Sequence, residues 1–88
     1  MFEFDPDKSK ANKLKHGIDF YKARRLWNDP HRVEIPARWV DEARFVLIAS
    51  MENEVWAAIY TVRNKRVRII SVRKARDHEK EIYHSSSV

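Results

Sequence analysis

The sequence predicts an α+β domain, an antiparallel β-meander sheet with two N-terminal helices and a C-terminal helix. Three observations carry that expectation. From Arg44 to Arg73, runs rich in β-branched and aromatic residues are separated by short polar turns, Glu52-Asn53-Glu54 and Asn64-Lys65, the pattern of consecutive hairpins. Upstream, Asp5-Pro6-Asp7 and Gly17 bracket a lysine-rich segment with the start and stop chemistry of a helix. Downstream, Arg76, Glu79, Lys80 and Tyr83 recur at three- and four-residue spacing, so Ala75 to Tyr83 reads as a helix with these residues on one side.

Phe2 and Phe4 alternate with Met1, Glu3 and Asp5, a short strand ending where the first helix begins. Asp5 offers an acceptor to free amides, Pro6 stands where no amide hydrogen is needed, and Asp7 suits the positive end of the helix dipole. The helix then runs to His16 and closes at Gly17, the chain's single glycine. Ala11 and Leu14, with Ile18 just beyond, are nearly all that it can bury, and Lys8, Lys10, Lys13, Lys15 and His16 surround that strip. Asp19 caps a second helix, Phe20 to Trp27, whose Phe20, Ala23, Leu26 and Trp27 share a core-facing side. Asn28-Asp29-Pro30-His31 ends it.

Val33-Glu34-Ile35 is a brief strand that Pro36 breaks and demotes to a sheet edge, and Arg38 to Ala43 reads as a loop. The meander strands are Arg44 to Met51, Val55 to Val62 and Arg66 to Arg73. The middle one is apolar on both faces and belongs at the centre, with the N-terminal helices covering one face. Residues 1–84 form one domain, since 88 residues bury only one modest core, and 85–88 are a tail expected to fray.

Eighteen Lys and Arg against thirteen Asp and Glu give a formal charge of +5 and a pI near 9.7, which favours a polyanionic partner, nucleic acid first. The absence of cysteine rules out disulfides and thiolate zinc sites. No apolar run approaches membrane-spanning length, and Met1 to Asp5 lacks the features of a secretion signal, so the expectation is a cytoplasmic protein with no membrane partner. There is no glycine-rich phosphate loop, no histidine pair at metal spacing and no acidic cluster fit for magnesium, so neither a metal nor a cofactor is expected.

The charge is concentrated where it can act. Arg63 to Arg76 carries seven Arg or Lys in fourteen residues and no acid, around a β-branched centre. Strict alternation would send Arg68, Ile70 and Val72 to one face and Val67, Ile69, Ser71 and Arg73 to the other. Guanidinium groups at the rim of an apolar sheet suit a phosphodiester, which Arg grips through paired donors, although Glu79 could instead neutralise one of them. Imidazole ordinarily changes charge near neutral pH, so His16 at a helix end is a candidate acid, base or phosphate donor, while Lys15 there suits the helix dipole. A metal-free ribonuclease needs only such groups, because the 2′-hydroxyl of its substrate is the nucleophile.

The segments Phe4-Asp5-Pro6-Asp7-Lys8, Asn12-Lys13-Leu14-Lys15-His16-Gly17-Ile18-Asp19-Phe20, Ala23 with Leu26-Trp27-Asn28-Asp29-Pro30, and Arg68-Ile69-Ile70-Ser71-Val72-Arg73-Lys74-Ala75 with Glu79 and Tyr83 resemble the BrnT family of toxins. That resemblance spans Phe4 to Tyr83. It implies a RelE/ParE-like fold, a ribonuclease that blocks translation, and a hetero-oligomer with a ribbon-helix-helix antitoxin through which alone promoter DNA is reached. His16, Arg68, Arg73, Glu79 and Tyr83 match the family's recurring polar residues; the departure is at the first meander strand, where family members carry an arginine and then a glycine and this chain has Asp41-Glu42-Ala43-Arg44-Phe45, with an arginine but no glycine.

The leading expectation is therefore metal-independent RNA cleavage. Arg73 and Arg76 would clamp the scissile phosphate, His16 with Tyr83 or Glu79 would move protons, and Lys13, Lys15, Arg44 and Arg68 would bind the RNA backbone. The alternatives are a non-catalytic module that binds nucleic acid or an acidic protein, and a gyrase-poisoning toxin on the same fold.

Overall fold

The computed structural model describes residues 1–37 and 41–86, so part of the loop expected from Arg38 to Ala43, and the last two residues of the expected tail, lie outside the described residues. Strand β1 (Phe2–Glu3) leads into helix α1 (Pro6–His16). The Asp5 carboxylate accepts the Asp7 amide at 2.9 Å, and Gly17, at φ 81°, donates its amide to the Lys13 carbonyl at 2.9 Å. Helix α2 (Phe20–Ala23) starts with Asp19 accepting the Lys22 amide at 2.8 Å. The helix expected to reach Trp27 tightens after one turn into a 3₁₀ segment, Arg24–Asn28. Its three-residue period keeps Ala23 and Leu26 on one side, both fully buried, and leaves Trp27 half-buried.

Strands β2 (Val33–Ala37), β3 (Arg44–Met51), β4 (Glu54–Arg63) and β5 (Arg66–Lys74) pair antiparallel in chain order. β1 joins the outer side of β5 in parallel, giving the order β1-β5-β4-β3-β2. The sheet is therefore mixed rather than wholly antiparallel as expected. A parallel neighbour must come from a distant part of the chain, and a strand's composition does not name its partner. β2 is an edge strand as expected, and it continues through Pro36, whose missing amide hydrogen an edge tolerates. β4 takes the centre, and both hairpin turns, Glu52-Asn53 and Asn64-Lys65, place two residues at positive φ.

Two expectations about faces are corrected. Leu14 is 91% exposed and Ala11 is exposed, whereas α1 buries Ser9 and Asn12. Polar side chains are buried there because backbone groups meet them: Ser9 accepts the Phe20 amide at 2.9 Å, and Asn12 bonds to Ile18 and Val72. In β5, Ile59 pairs with Ser71 but Tyr60 with Ile69, so Ile70 is an extra residue that breaks strict alternation. Val67, Ile69 and Val72 consequently share one face, and Arg68, Ser71 and Arg73 share the other.

The first face packs Leu47, Ala49, Ala58, Tyr60, Ile69 and Val72 against Ile18, Phe20 and Leu26. Phe2, Phe4 and Trp27 border this core through edge-on ring contacts. On the other face helix α3 (Asp77–Ser86) packs against β3 and β2. It continues past Tyr83 to Ser86, so the described part of the 85–88 segment is helical. Among the described residues no helix is long and apolar enough to cross a membrane.

Candidate active site

The end of α1 and the end of β5 meet in an open cleft of about 430 Å³ lined by Lys15, His16, Arg73 and Lys74. Gly17 turns the chain away immediately after His16, so the imidazole is the last side chain of the helix. Asn12 draws that helix onto β5 at Val72, one residue before Arg73. The lining carries three permanent cations and an imidazole, and its carboxylates stand behind it: Glu79 pairs with Arg73 at 2.7 Å and Glu54 with Lys74 at 3.9 Å. A concave cationic lining attracts an anion and repels a divalent metal ion.

Arg73 reaches the cleft from a fixed position. Its Nη1 and Nη2 donate to Glu79 Oε1 and Oε2 at 2.7 and 3.0 Å, and Nη1 also donates to the Lys74 carbonyl at 3.3 Å. Nε–H and one Nη2 hydrogen remain without a partner among the described residues. Glu79 is nearly buried, its side chain 7% exposed. The hydrogen bonds from Arg73 hold its carboxyl below the ordinary value of 4.5 against the opposing effect of burial, with the Arg76 amide assisting. That amide donates to Glu79 Oε1 at 2.8 Å, closing the first turn of α3 as in a capping box, while the Arg76 side chain is exposed and has no ion pair among the described residues.

Tyr83 lies one turn further along α3 and in a different pocket, lined with Arg25, Asn28, Asp29, Pro30, Ser50, Met51 and Glu52. Its hydroxyl donates to Asp29 Oδ2 at 2.6 Å, and the same oxygen accepts the Ser50 amide at 2.8 Å. Burial, and then the Asp29 carboxylate, push the phenol up to about 12. For Asp29, burial is the largest single influence and acts upward. The bonds from Tyr83, Ser50 and His31 together outweigh it and hold the carboxyl below its ordinary 3.8.

The remaining candidates are dispersed. Arg68 shares a face with Arg73 but stands five residues away along β5, about 15 Å at the rise of a strand, and is paired with Glu3 at 3.0 Å. Arg44 begins β3 at that same far end, exposed and opposite Ala37 on β2. Lys13 is exposed on α1 and donates to the Gly17 carbonyl at 3.4 Å. The structure thus brings Lys15, His16 and Arg73 together, puts Glu79 and Arg76 behind Arg73, and leaves Tyr83, Arg44, Arg68 and Lys13 outside the cleft lining.

Lys74 and Asn12 are site-forming residues that sequence reasoning passed over. Lys74 was visible in the basic run, but the start of α3 had to be known before its place at the cleft rim could be. Asn12 lies away from the expected apolar strip, where a residue is expected to be solvated, and only its backbone partners Ile18 and Val72 account for its burial.

The architecture and the cleft define a small basic α+β protein with Lys15, His16, Arg73 and Lys74 on one concave surface. Residues 4–79 match the family model described as ribonuclease toxin, BrnT, of type II toxin-antitoxin system, and the chain belongs to that family. Membership makes RNA its target and an antitoxin its partner. Comparison with curated proteins gives no match.

Proposed function

We propose that the protein is a metal-independent endoribonuclease with a RelE/ParE-like fold, that its cleavage of RNA blocks translation in the cytoplasm, and that the cleft between α1 and β5 is where the chain is cut. The cationic cleft carries this reading: an arginine clamped by a buried carboxylate, a helix-terminal histidine and two lysines share one concave surface. In this mechanism the free hydrogens of Arg73 bind non-bridging phosphate oxygens, and Lys15 and Lys74 offset the charge that grows on them. His16 accepts the proton of the 2′-hydroxyl as its oxygen attacks phosphorus. The bond to the 5′ oxygen breaks, that oxygen takes a proton from solvent, and the products are a 2′,3′-cyclic phosphate and a 5′-hydroxyl.

Glu79 and Tyr83 support this site without exchanging protons. Glu79 is ionised and occupied on both oxygens, so its part is to aim Arg73. Tyr83 anchors α3 to Asp29. Arg76, at the start of α3, and Lys13, Arg44 and Arg68 guide flanking backbone. The antitoxin belongs to the ribbon-helix-helix class, covers the toxin in a hetero-oligomer and supplies all contact with promoter DNA.

The test is cleavage of single-stranded RNA in excess EDTA by wild type, His16→Ala and Arg73→Lys, the last keeping a cation beside Glu79. Cleavage is expected to persist in chelator and to fall about 100-fold in His16→Ala, the usual size of a general-base contribution. Arg73→Lys is expected to lose at least about tenfold, because an ammonium cannot replace the fork. Abolition by chelator, or full activity in either variant, refutes the mechanism. Salt-sensitive binding with no product on prolonged incubation would favour the passive binding module.

A further inference from the structure

Helix α1 is held to the rest of the fold by the polar side chains Ser9 and Asn12, where an ordinary amphipathic helix would use apolar ones. Asn12, only 7% exposed, makes most of that attachment. Its Nδ2 donates to the Ile18 carbonyl at 2.7 Å and to the Val72 carbonyl at 2.9 Å, and its Oδ1 accepts the Val72 amide at 3.2 Å. An asparagine side chain presents the same donor and acceptor as a peptide group. It can do so here because β1 pairs with β5 only at Val67 and Arg68, leaving the outer edge of β5 open further along. Asn12 fills that edge at Val72 as a neighbouring strand would.

What the amide connects matters more than the bonds themselves. Asn12 lies four residues before His16 on the same side of α1, Ile18 lies two residues after His16, and Val72 adjoins Arg73. One side chain therefore fixes the helical turn before the imidazole, the chain that leaves it and the strand residue beside the guanidinium. We propose that Asn12 is a positioning residue for RNA cleavage, setting His16 against Arg73 across the cleft. This rests on the reading of that cleft as the cleavage site.

The experiment is a double-mutant cycle in which Asn12→Ala, His16→Ala and the double variant are compared with wild type for kcat, KM and thermal melting. Asn12→Ala is expected to lower kcat about tenfold with little change in KM, the effect of displacing a catalytic group rather than losing a contact to RNA. In the His16→Ala background the same substitution should change kcat less than about twofold, because the group it positions is gone. Equal proportional losses in both backgrounds, accompanied by equal losses of melting temperature, would show a merely structural residue and overturn the inference while leaving the cleavage site standing. Undiminished cleavage by His16→Ala would overturn both.

Asn12→Ser, which keeps a hydroxyl toward Val72, replaces the alanine variant if that one does not fold. A readout independent of turnover is the His16 imidazole NMR signal titrated with inorganic phosphate. Weaker phosphate-induced shifts in the Asn12 variant are expected, and an unchanged titration counts against a positioning role.

Discussion

Arg73 and Glu79 form a two-pronged contact, and on the proposed reading Glu79 supports Arg73 rather than exchanging protons. Both carboxylate oxygens are occupied, and the proton is held more weakly in the folded chain than in the unfolded one, since the folded carboxyl titrates below 4.5. A group of this kind contributes stability that is fully present above the ordinary carboxylate value and is lost as pH falls through the lower folded-state value. Wild type should therefore lose stability in acid below about 4.5, the carboxylate's ordinary value. Glu79→Gln should be less stable by about 2 kcal/mol at neutral pH and should show a flatter acid limb, because charge-assisted hydrogen bonds are replaced by weaker ones. Urea unfolding from pH 7 to pH 3 checks this, and parallel pH profiles for the two proteins would contradict it. Tyr83 gives a second test. With its hydroxyl bonded to Asp29 in a pocket that excludes His16 and Arg73, Tyr83→Phe should destabilise by about 1–2 kcal/mol, a drop in melting temperature of roughly 4–16 °C. Cleavage well below the melting point should stay within about threefold of wild type, the level expected when no transition-state contact is removed. A hundredfold loss with an unchanged melting temperature would put the phenol back in the chemistry.

At the scale of single elements, what could be read from sequence divides along a physical line. Helix starts, helix stops and tight turns are local chemistry. Asp5-Pro6-Asp7, Gly17, Asp19 and the two hairpin turns accordingly appear where the residues indicate. What escaped depends on partners distant in the chain. The face of α1 could not be read from hydropathy, because the groups that make Ser9 and Asn12 buriable are the Phe20 amide and the Val72 backbone. The extra residue Ile70 looks like any strand residue, yet it decides that Arg68 and Arg73 share a face, and the parallel partner of β1 was equally invisible. Within the site, His16 and Arg73 were recognisable by residue type, whereas the separation of Tyr83 into another pocket depended on Asp29, legible only as a turn residue. The reversed burial of α1 can be tested directly. Leu14→Lys, at a fully solvated position, should change stability by less than about 0.5 kcal/mol. Gly17→Ala should cost about 1 kcal/mol, because no atom stands within 4 Å of the added methyl and only the left-handed φ resists it. Thermal melts of both variants decide the matter. A large loss in Leu14→Lys would mean that this side chain is packed after all.

Across the whole molecule, charge is plentiful, but much of it is already matched. In the basic run, Arg63 is paired with Glu42, Arg68 with Glu3 and Arg73 with Glu79, and on the helix side Lys22 and Arg25 share Glu52. The formal +5 therefore overstates what RNA would meet at most points of the surface. Lys74 is likewise within 3.9 Å of Glu54, so in the cleft, at one end of the sheet, it is Lys15, beside the exposed lysines of α1, that has no ion pair among the described residues. A short RNA should consequently register this end alone. With about four phosphate contacts and a slope of about −0.7 per contact for single strands, affinity should fall about 50-fold between 50 and 200 mM salt. Lys15→Gln should make that slope shallower by about 0.7, the share of one contact. Arg68→Gln, about 15 Å away and paired with Glu3, should leave the slope for a short oligonucleotide unchanged. Its effect should emerge only with RNA long enough to run across the face that Arg68 and Arg73 share. Fluorescence anisotropy with His16→Ala, so that the RNA survives the titration, measures all three. Equal reductions of slope by the Lys15 and Arg68 substitutions on the short RNA would show that binding follows net charge rather than the cleft.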